Sequence, residues 1–278
     1  MSSEVLQMSG SKDDLRCREI LPSQWGRSYT AAPRARRAAP ERDFAPERDS
    51  AEGSPVSLLL LMRHGQAQFG AAHYDALSEL GERQADATGQ HFARVGSEFD
   101  EVQIGPKRRH AATAAGALRE LAGAPTPISV PQLDEFAEAD EILHAAEQLC
   151  GLSPAEMSAL PRVEQLRHYD ATIAAWMEER VHLERRPTAA SFRAEVAGWL
   201  REVVARPVRS QRLLVVTSAG VIAAVVAEVL ELPVERMSQF TRVLRNASLT
   251  EIAFSAGRPS LVSFNSVTHL LPALASGI

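Results

Sequence analysis

From Val56 to Met62 the chain is almost continuously apolar, and the run stops at Arg63-His64-Gly65. Such a stretch reads as a β-strand covered on both faces. Covering both faces takes helices, so this one segment points to layers of helix, sheet and helix. Its end matters as much as its length, because open α/β sheets hold ligands at the carboxyl ends of their strands. An imidazole beside a guanidinium at that edge suggests a nucleophile next to an anion clamp. Gly65 lets the backbone come close to whatever is bound. Three residues alone are a weak motif, and a plain surface turn is the alternative; the rest of the chain has to decide.

Leu213-Leu214-Val215-Val216-Thr217 is a second strand of the same buried kind. Short strands are expected at Val102–Gly105 and Ile128–Val130, and two late ones at Ser248–Phe254 and Leu261–Phe264. Helical patterns lie between them. Ser78 can cap a helix that places Leu80, Thr88, Phe92 and Val95 on one face. A second helix is expected from Arg108 to Leu121, broken by Pro125 and Pro127. A third, from Ser191 to Ala205, aligns Phe192, Val196, Trp199 and Val203. A fourth begins at Gly220 and ends before Pro233. Strands alternating with helices imply an α/β fold in three layers, a mostly parallel sheet flanked by helices. The late pair, joined by Ser255-Ala256-Gly257-Arg258-Pro259, suits an antiparallel edge. Residues 134–190 are polar and helical with no strand signal, as an inserted helical cap would be.

Residues 1–54 are different. They hold nine acidic and nine basic residues, repeat Pro-Glu-Arg-Asp at 40–43 and 46–49, and show no apolar periodicity. Such a segment buries too little to offset its ordering entropy. A disordered N-terminal extension over 1–54 is expected, with the folded domain at 55–278. Since the extension is neutral, the net charge of −5 belongs to the domain. That balance argues against a general nucleic-acid or anionic-membrane binder. No apolar run approaches the roughly 20 residues that span a bilayer. Cys17 and Cys150 make neither a disulfide framework nor a cysteine zinc site. His110, His144, His168 and His182 are scattered and lack metal-ligand spacing. A cytoplasmic protein is the expectation.

Four segments fall together on the carboxyl edge of such a sheet. They are Arg63-His64-Gly65, the block Gly105 to His110, Leu133-Asp134-Glu135-Phe136, and Thr217-Ser218-Ala219-Gly220. Together they supply a nucleophile, cations, an acid and a helix N-terminus. That set suits phosphoryl transfer, where positioning and charge neutralisation supply most of the catalysis.

With these residues in view, the chain resembles the histidine phosphatase superfamily, the phosphoglycerate-mutase-like proteins, over about Val56 to Leu271. Arg63-His64-Gly65 resembles its signature. Leu77-Ser78-Glu79-Leu80-Gly81-Glu82-Arg83-Gln84-Ala85 is similar to its Leu-Thr-x-x-Gly-x-x-Gln-Ala helix start. Gly105-Pro106-Lys107-Arg108-Arg109-His110-Ala111-Ala112-Thr113-Ala114 resembles its Ser-Pro-Leu-x-Arg-Ala-x-Gln-Thr-Ala block, and Asn246-Ala247-Ser248 and Asn265 through Leu270 resemble its closing strands. The resemblance implies that His64 is the nucleophile and forms a phosphohistidine. It implies that Arg63 and Arg109 bind the phosphoryl oxygens as bidentate forks. Glu135 would protonate the leaving oxygen, which requires a pocket that raises its pKa; Glu138, Asp140 and Glu141 are nearby alternatives. No metal or other cofactor is implied, and the partner is a small phosphorylated substrate.

Two departures stand out. The family's Ser-His-Gly-Gly is matched by Thr217-Ser218-Ala219-Gly220, so Ser218 replaces a second catalytic His. The loss of such a donor costs about 10²–10³ in rate by analogy with an oxyanion hole. Ser218 could still donate to phosphate, or could merely cap the following helix. Restoring His at 218 is then expected to raise turnover, if the pocket has the space. Gly70 stands where the family has an Asn, and Gln66 or Gln68 could compensate. The expected function is phosphomonoester hydrolysis through a phosphohistidine, without metal. The alternatives are a catalytically impaired phosphate-binding or regulatory protein, and a phosphotransferase of the phosphoglycerate-mutase type. The latter is disfavoured because Gln66-Ala67-Gln68-Phe69-Gly70 lacks the Glu-Ser-x-x-Asn pattern of glycolytic mutases.

Overall fold

A computed structural model of the chain describes residues 56–68, 75–207 and 210–277. The expected extension over 1–54 and the Asn-matching Gly70 lie outside the described residues. Six strands form one sheet: β1 (Ser57–Arg63), β2 (Glu101–Ile104), β3 (Ile128–Ser129), β4 (Arg212–Thr217), β5 (Leu249–Ser255) and β6 (Arg258–Ser266). Their order is β3-β2-β4-β1-β5-β6. The β3/β2, β2/β4 and β4/β1 pairs are parallel. The β1/β5 and β5/β6 pairs are antiparallel, so the late hairpin forms that side of the sheet.

The apolar run behaves as its pattern requires. Leu59 and Leu61 of β1 pack with Leu213 and Val215 of β4 on one face of the sheet. Met62 packs with Leu214 and Val216 on the other. On the first face lie α7 (Ala189–Val204) and α8 (Ala219–Val229). Every α8 residue from Ala219 to Ala227 is buried, which explains a helix that is apolar all round. On the second face lie α1 (Glu79–Arg94) and α2 (Arg108–Leu118), through Phe92, Ala114 and Ala117. The fold is thus a three-layer α/β structure with a mixed sheet.

Ser78 caps α1 by accepting from the Gly81 N–H at 3.1 Å. Thr88 and Phe92 are buried as expected, but Val95 is 57% exposed because it lies at the helix's C-cap, beyond the last full turn. Helix α2 ends at Leu118 rather than Leu121, since Arg119 and Leu121 donate to Gly116 and Leu118 in tightened turns. Between β3 and α7 the described chain is helical: α3 (Ala139–Ala145), α4 (Glu147–Cys150), α5 (Pro154–Ala159) and α6 (Arg162–Met177). Phe136 anchors the entry to this segment by stacking on Trp176 of α6, ring centroids 4.4 Å apart. A short helix α9 (Met237–Thr241) follows α8.

Candidate active site

The parallel register aligns the ends of three strands. Arg63 sits beside Thr217, and both Met62 and Ile104 sit beside Val216. Everything that leaves these strands therefore emerges at one edge. His64 N–H continues the ladder to the Thr217 carbonyl at 2.8 Å, which fixes where its side chain begins.

His64 is 7% exposed. Its Nδ1 lies 2.7 Å from the Gly65 carbonyl oxygen, an acceptor, so that nitrogen carries the proton and Nε2 keeps its lone pair. Burial, then the charges of Arg109 and Arg63, hold the imidazole well below the ordinary histidine value. A neutral ring with a free Nε2 is a competent nucleophile. The Arg63 guanidinium donates to the Leu244 carbonyl. The loop beyond His64 is clasped by α1 and α2: Gly65 N–H donates to Thr113 Oγ1 at 3.0 Å and Gln66 N–H to Gln84 Oε1 at 2.8 Å. The clasp itself requires a glycine at 65. A Cβ there would lie 2.5 Å from the Gly81 carbonyl oxygen, and one on Gly81 would lie 2.1 Å from that of Gln66. The Gln66 side chain accepts from Ser78 Oγ at 2.9 Å.

Arg109, 3% exposed at the start of α2, is held as a fork. Its Nη1 and Nη2 donate to the two carboxylate oxygens of Glu138 at 3.1 and 3.3 Å, and Nη1 also reaches Asp75 at 3.4 Å. Lys107 adds a 2.9 Å ion pair to the same Glu138. A carboxylate bound in this way occupies the geometry a phosphoryl group would take. Burial pushes the Glu138 carboxyl up, but Arg109 and Lys107 outweigh it, and it ends below the ordinary value. Sequence reading weighed Glu138 only as a stand-in for Glu135; its role as a counter-ion had no signal beyond its charge.

Glu135 is held differently. One oxygen accepts from Gly220 N–H at 3.2 Å and the other from Phe136 N–H at 3.1 Å. Burial raises its pKa to about 6, against the lowering effects of the Gly220 N–H and Arg109. Among the neighbouring carboxylates, this is the one whose environment suits a general acid. A Cβ on Gly220 would fall 2.1 Å from Glu135 Oε1, so the carboxyl lies directly on the helix backbone. Ser218 is fully buried at the N-cap of α8, and its side chain makes no capping bond. Its hydroxyl instead meets His110 Nε2 at 2.7 Å. The His110 and His64 rings lie 5.6 Å apart, centroid to centroid. Sequence reading set His110 aside among scattered histidines; its place directly after Arg109, where the family pattern has Ala, was the available signal.

Two adjoining hollows open over this edge. The inner one is lined by Arg63, His64, Arg109, Glu135, Glu138 and Gly220, among others. The outer, about 340 Å³, shares Arg63 and His64 and is walled by Gln66, Leu143, Leu166 and Tyr169. The geometry thus brings His64, Arg63, Arg109 and Glu135 to one hollow, with Gln66 at its outer neighbour. Ser218 lines neither. Among the described residues no group of three or more His, Cys, Asp or Glu could hold a metal ion, and no helix is long and apolar enough to cross a membrane.

These features set a buried imidazole, two guanidinium groups and a carboxyl at one edge of a three-layer α/β fold. The profile of the histidine phosphatase superfamily (branch 1) matches residues 59–267, and the chain belongs to that superfamily. No curated protein matches it in sequence. Solved structures share its fold. A mutant phosphoserine phosphatase from Entamoeba histolytica, in complex with phosphoserine, is 20% identical with a TM-score of 0.55, covering 77% of this chain and 100% of its own. A mycobacterial glucosyl-3-phosphoglycerate phosphatase is 21% identical with a TM-score of 0.53, covering 76% and 99%. A phosphoglycerate mutase from Bacillus anthracis is 19% identical with a TM-score of 0.53, covering 78% and 96%.

Proposed function

We propose that the protein hydrolyses a small phosphomonoester through a phosphohistidine on His64. The observation that carries this reading is a neutral imidazole with Nε2 free, facing a hollow that also holds two guanidinium groups and a carboxyl raised to about 6. In the first step Nε2 forms a bond to phosphorus as the bond to the leaving oxygen breaks. Glu135 gives its proton to that oxygen, releasing an alcohol. In the second step the Glu135 carboxylate takes a proton from water, which attacks phosphorus. The N–P bond breaks and inorganic phosphate leaves. Arg63 and Arg109 neutralise the phosphoryl oxygens throughout, and Gln66 flanks the leaving group. No step calls on a metal. The structural neighbours include enzymes named for phosphoserine and for phosphorylated glycerate derivatives, which supports a small, polar phosphate ester.

A second reading, a phosphate-binding or regulatory protein without turnover, draws on the Glu138 carboxylate already seated on Arg109. A labelled phosphodonor and a non-acidic quench separate the two. The expected result is an acid-labile adduct on His64, and turnover of an aryl phosphate that falls at least about 10³-fold in His64→Ala. An adduct elsewhere, or full activity in His64→Ala, would end the phosphatase reading.

A further inference from the structure

One buried polar pair at this edge has no part in the steps above. His110 and Ser218 are both wholly inaccessible, 108 residues apart in sequence, and joined Nε2 to Oγ at 2.7 Å. Burying an imidazole and a hydroxyl costs their hydration, and this hydrogen bond offsets part of that cost. Three positions that depart from the superfamily pattern meet here. Gly105 stands in place of Ser, His110 in place of Ala, and Ser218 in place of His. A Cβ on Gly105 would come 2.3 Å from His110 Nδ1 and 2.3 Å from the Leu133 carbonyl oxygen. The glycine therefore leaves the space that the imidazole fills at one end, and the small Ser218 leaves it at the other. An imidazole supplied from the start of α2 thus lies against the end of β4.

The pair also joins two working parts. Its α2 partner directly follows Arg109, the clamp. Its α8 partner precedes Ala219 and Gly220, and Gly220 N–H donates to Glu135. We propose that His110 is a positioning residue: through the Ser218 hydroxyl it holds the start of α8, and with it Glu135, in register with Arg109 and His64. It is too deeply buried to touch substrate. Burial, then the Arg109 charge, push His110 down to about 3, so the bond joins two neutral groups at neutral pH. Ser218→His alone should therefore collide with His110 rather than raise turnover, which revises the expectation drawn from sequence.

The proposal rests on the phosphatase reading, and the test separates the two. His110→Leu keeps bulk and loses the hydrogen bond; His110→Gln sets an amide nitrogen near the place of Nε2. On an alkyl phosphate, His110→Leu should lose about tenfold or more in kcat with KM within about threefold, and should move the alkaline limb of the pH profile set by Glu135. His110→Gln should keep most of the activity and leave that limb in place. The exchange His110→Ala with Ser218→His should exceed either single variant, and its folding is read separately by thermal melting. If Leu and Gln variants have equal kcat and an unmoved limb, His110 only fills space and the inference is overturned while the phosphatase reading stands. If the native protein shows no His64-dependent turnover, that reading fails, and orthovanadate affinity decides the pair. Weakening in His110→Leu with recovery in His110→Gln supports it; equal affinities overturn it.

Discussion

The strands β1 and β4 lie side by side in parallel register and end at the same edge, yet they serve the site in opposite ways. Past its last residues β1 sends side chains outward: Arg63 and His64 line the inner hollow. Strand β4 turns its side chains away. Thr217 Oγ1 donates to the Leu133 carbonyl at 2.7 Å, and Ser218 Oγ meets His110. What β4 offers the hollow is Ala219 and Gly220, the opening backbone of α8, whose N–H holds Glu135. The same position in a parallel sheet can thus supply a reactive side chain or a helix N-terminus that orients someone else's. On the β4 side the hollow thus meets helix backbone and the Glu135 carboxyl it holds, with Ser218 turned away from it.

The largest test of this contrast is Glu135→Gln. Gln keeps the shape and an acceptor oxygen for Gly220 but has no proton to give. Turnover of an alkyl phosphate, a poor leaving group, should fall about 10²–10⁴-fold. An aryl phosphate, whose leaving oxygen needs little protonation, should lose much less. In the native protein the raised pKa of about 6 means the carboxyl is protonated below that value and ionised above it. For the alkyl ester, kcat/KM should hold below pH 6 and fall as pH rises through it. The acid limb, set by His64, should lie well below the ordinary histidine range because its imidazole is held there. An alkaline limb that persists in Glu135→Gln, or equal losses on the two esters, would assign the proton to another group.

The legible and illegible parts of the molecule divide along similar lines. Buried strands announce themselves by composition, so β1, β4 and the helices that cover them could be placed from Leu58–Met62, Leu213–Val216 and the Phe192, Val196, Trp199, Val203 stripe. The motif residues His64, Arg63 and Arg109 lie at strand and helix ends, where one-dimensional position fixes three-dimensional position. Contacts across the chain carry no such mark. Nothing around Glu138 signals that it will bind Arg109, since that meeting depends on how the segment after β3 folds back. The fate of Ser218 was equally hidden, because a residue at an N-cap reads as a cap, and only packing reveals that its hydroxyl has a buried imidazole to meet. Val95 failed for a smaller reason: a periodic stripe does not say where the helix stops.

A middle-sized effect is expected at Glu138, which sharpens the contrast from the β2 side of the edge. Its carboxylate sits on the Arg109 fork, which the proposed mechanism assigns to the phosphoryl group. Glu138→Gln removes the competing charge and leaves a side chain of the same size. Inorganic phosphate should then inhibit more strongly, by roughly three- to tenfold, a gain of about 0.7–1.4 kcal/mol within the range of one partly exposed charge contact. Weaker phosphate inhibition in Glu138→Gln would mean that the carboxylate orients Arg109 for substrate instead of competing with it.

The smallest effect on activity, and the sharpest check on how β4 contributes, is Thr217→Val. Valine matches threonine in shape and keeps the β-strand, so the backbone that supports His64 N–H and begins α8 should stay in place. Only the hydroxyl is lost, and the Leu133 carbonyl is left without that donor in a buried setting. An unsatisfied buried acceptor costs about 1–3 kcal/mol, partly offset by the added apolar methyl. For a domain of this size, 1 kcal/mol corresponds to a shift of roughly 2–4 °C in Tm. The expected outcome is a melting point lower by a few degrees with kcat/KM within about twofold of the native value. If β4 served only through its backbone, that separation of stability from activity must hold. A tenfold loss of kcat/KM at unchanged Tm would instead place the Thr217 hydroxyl in the chemistry and make the two strand ends alike.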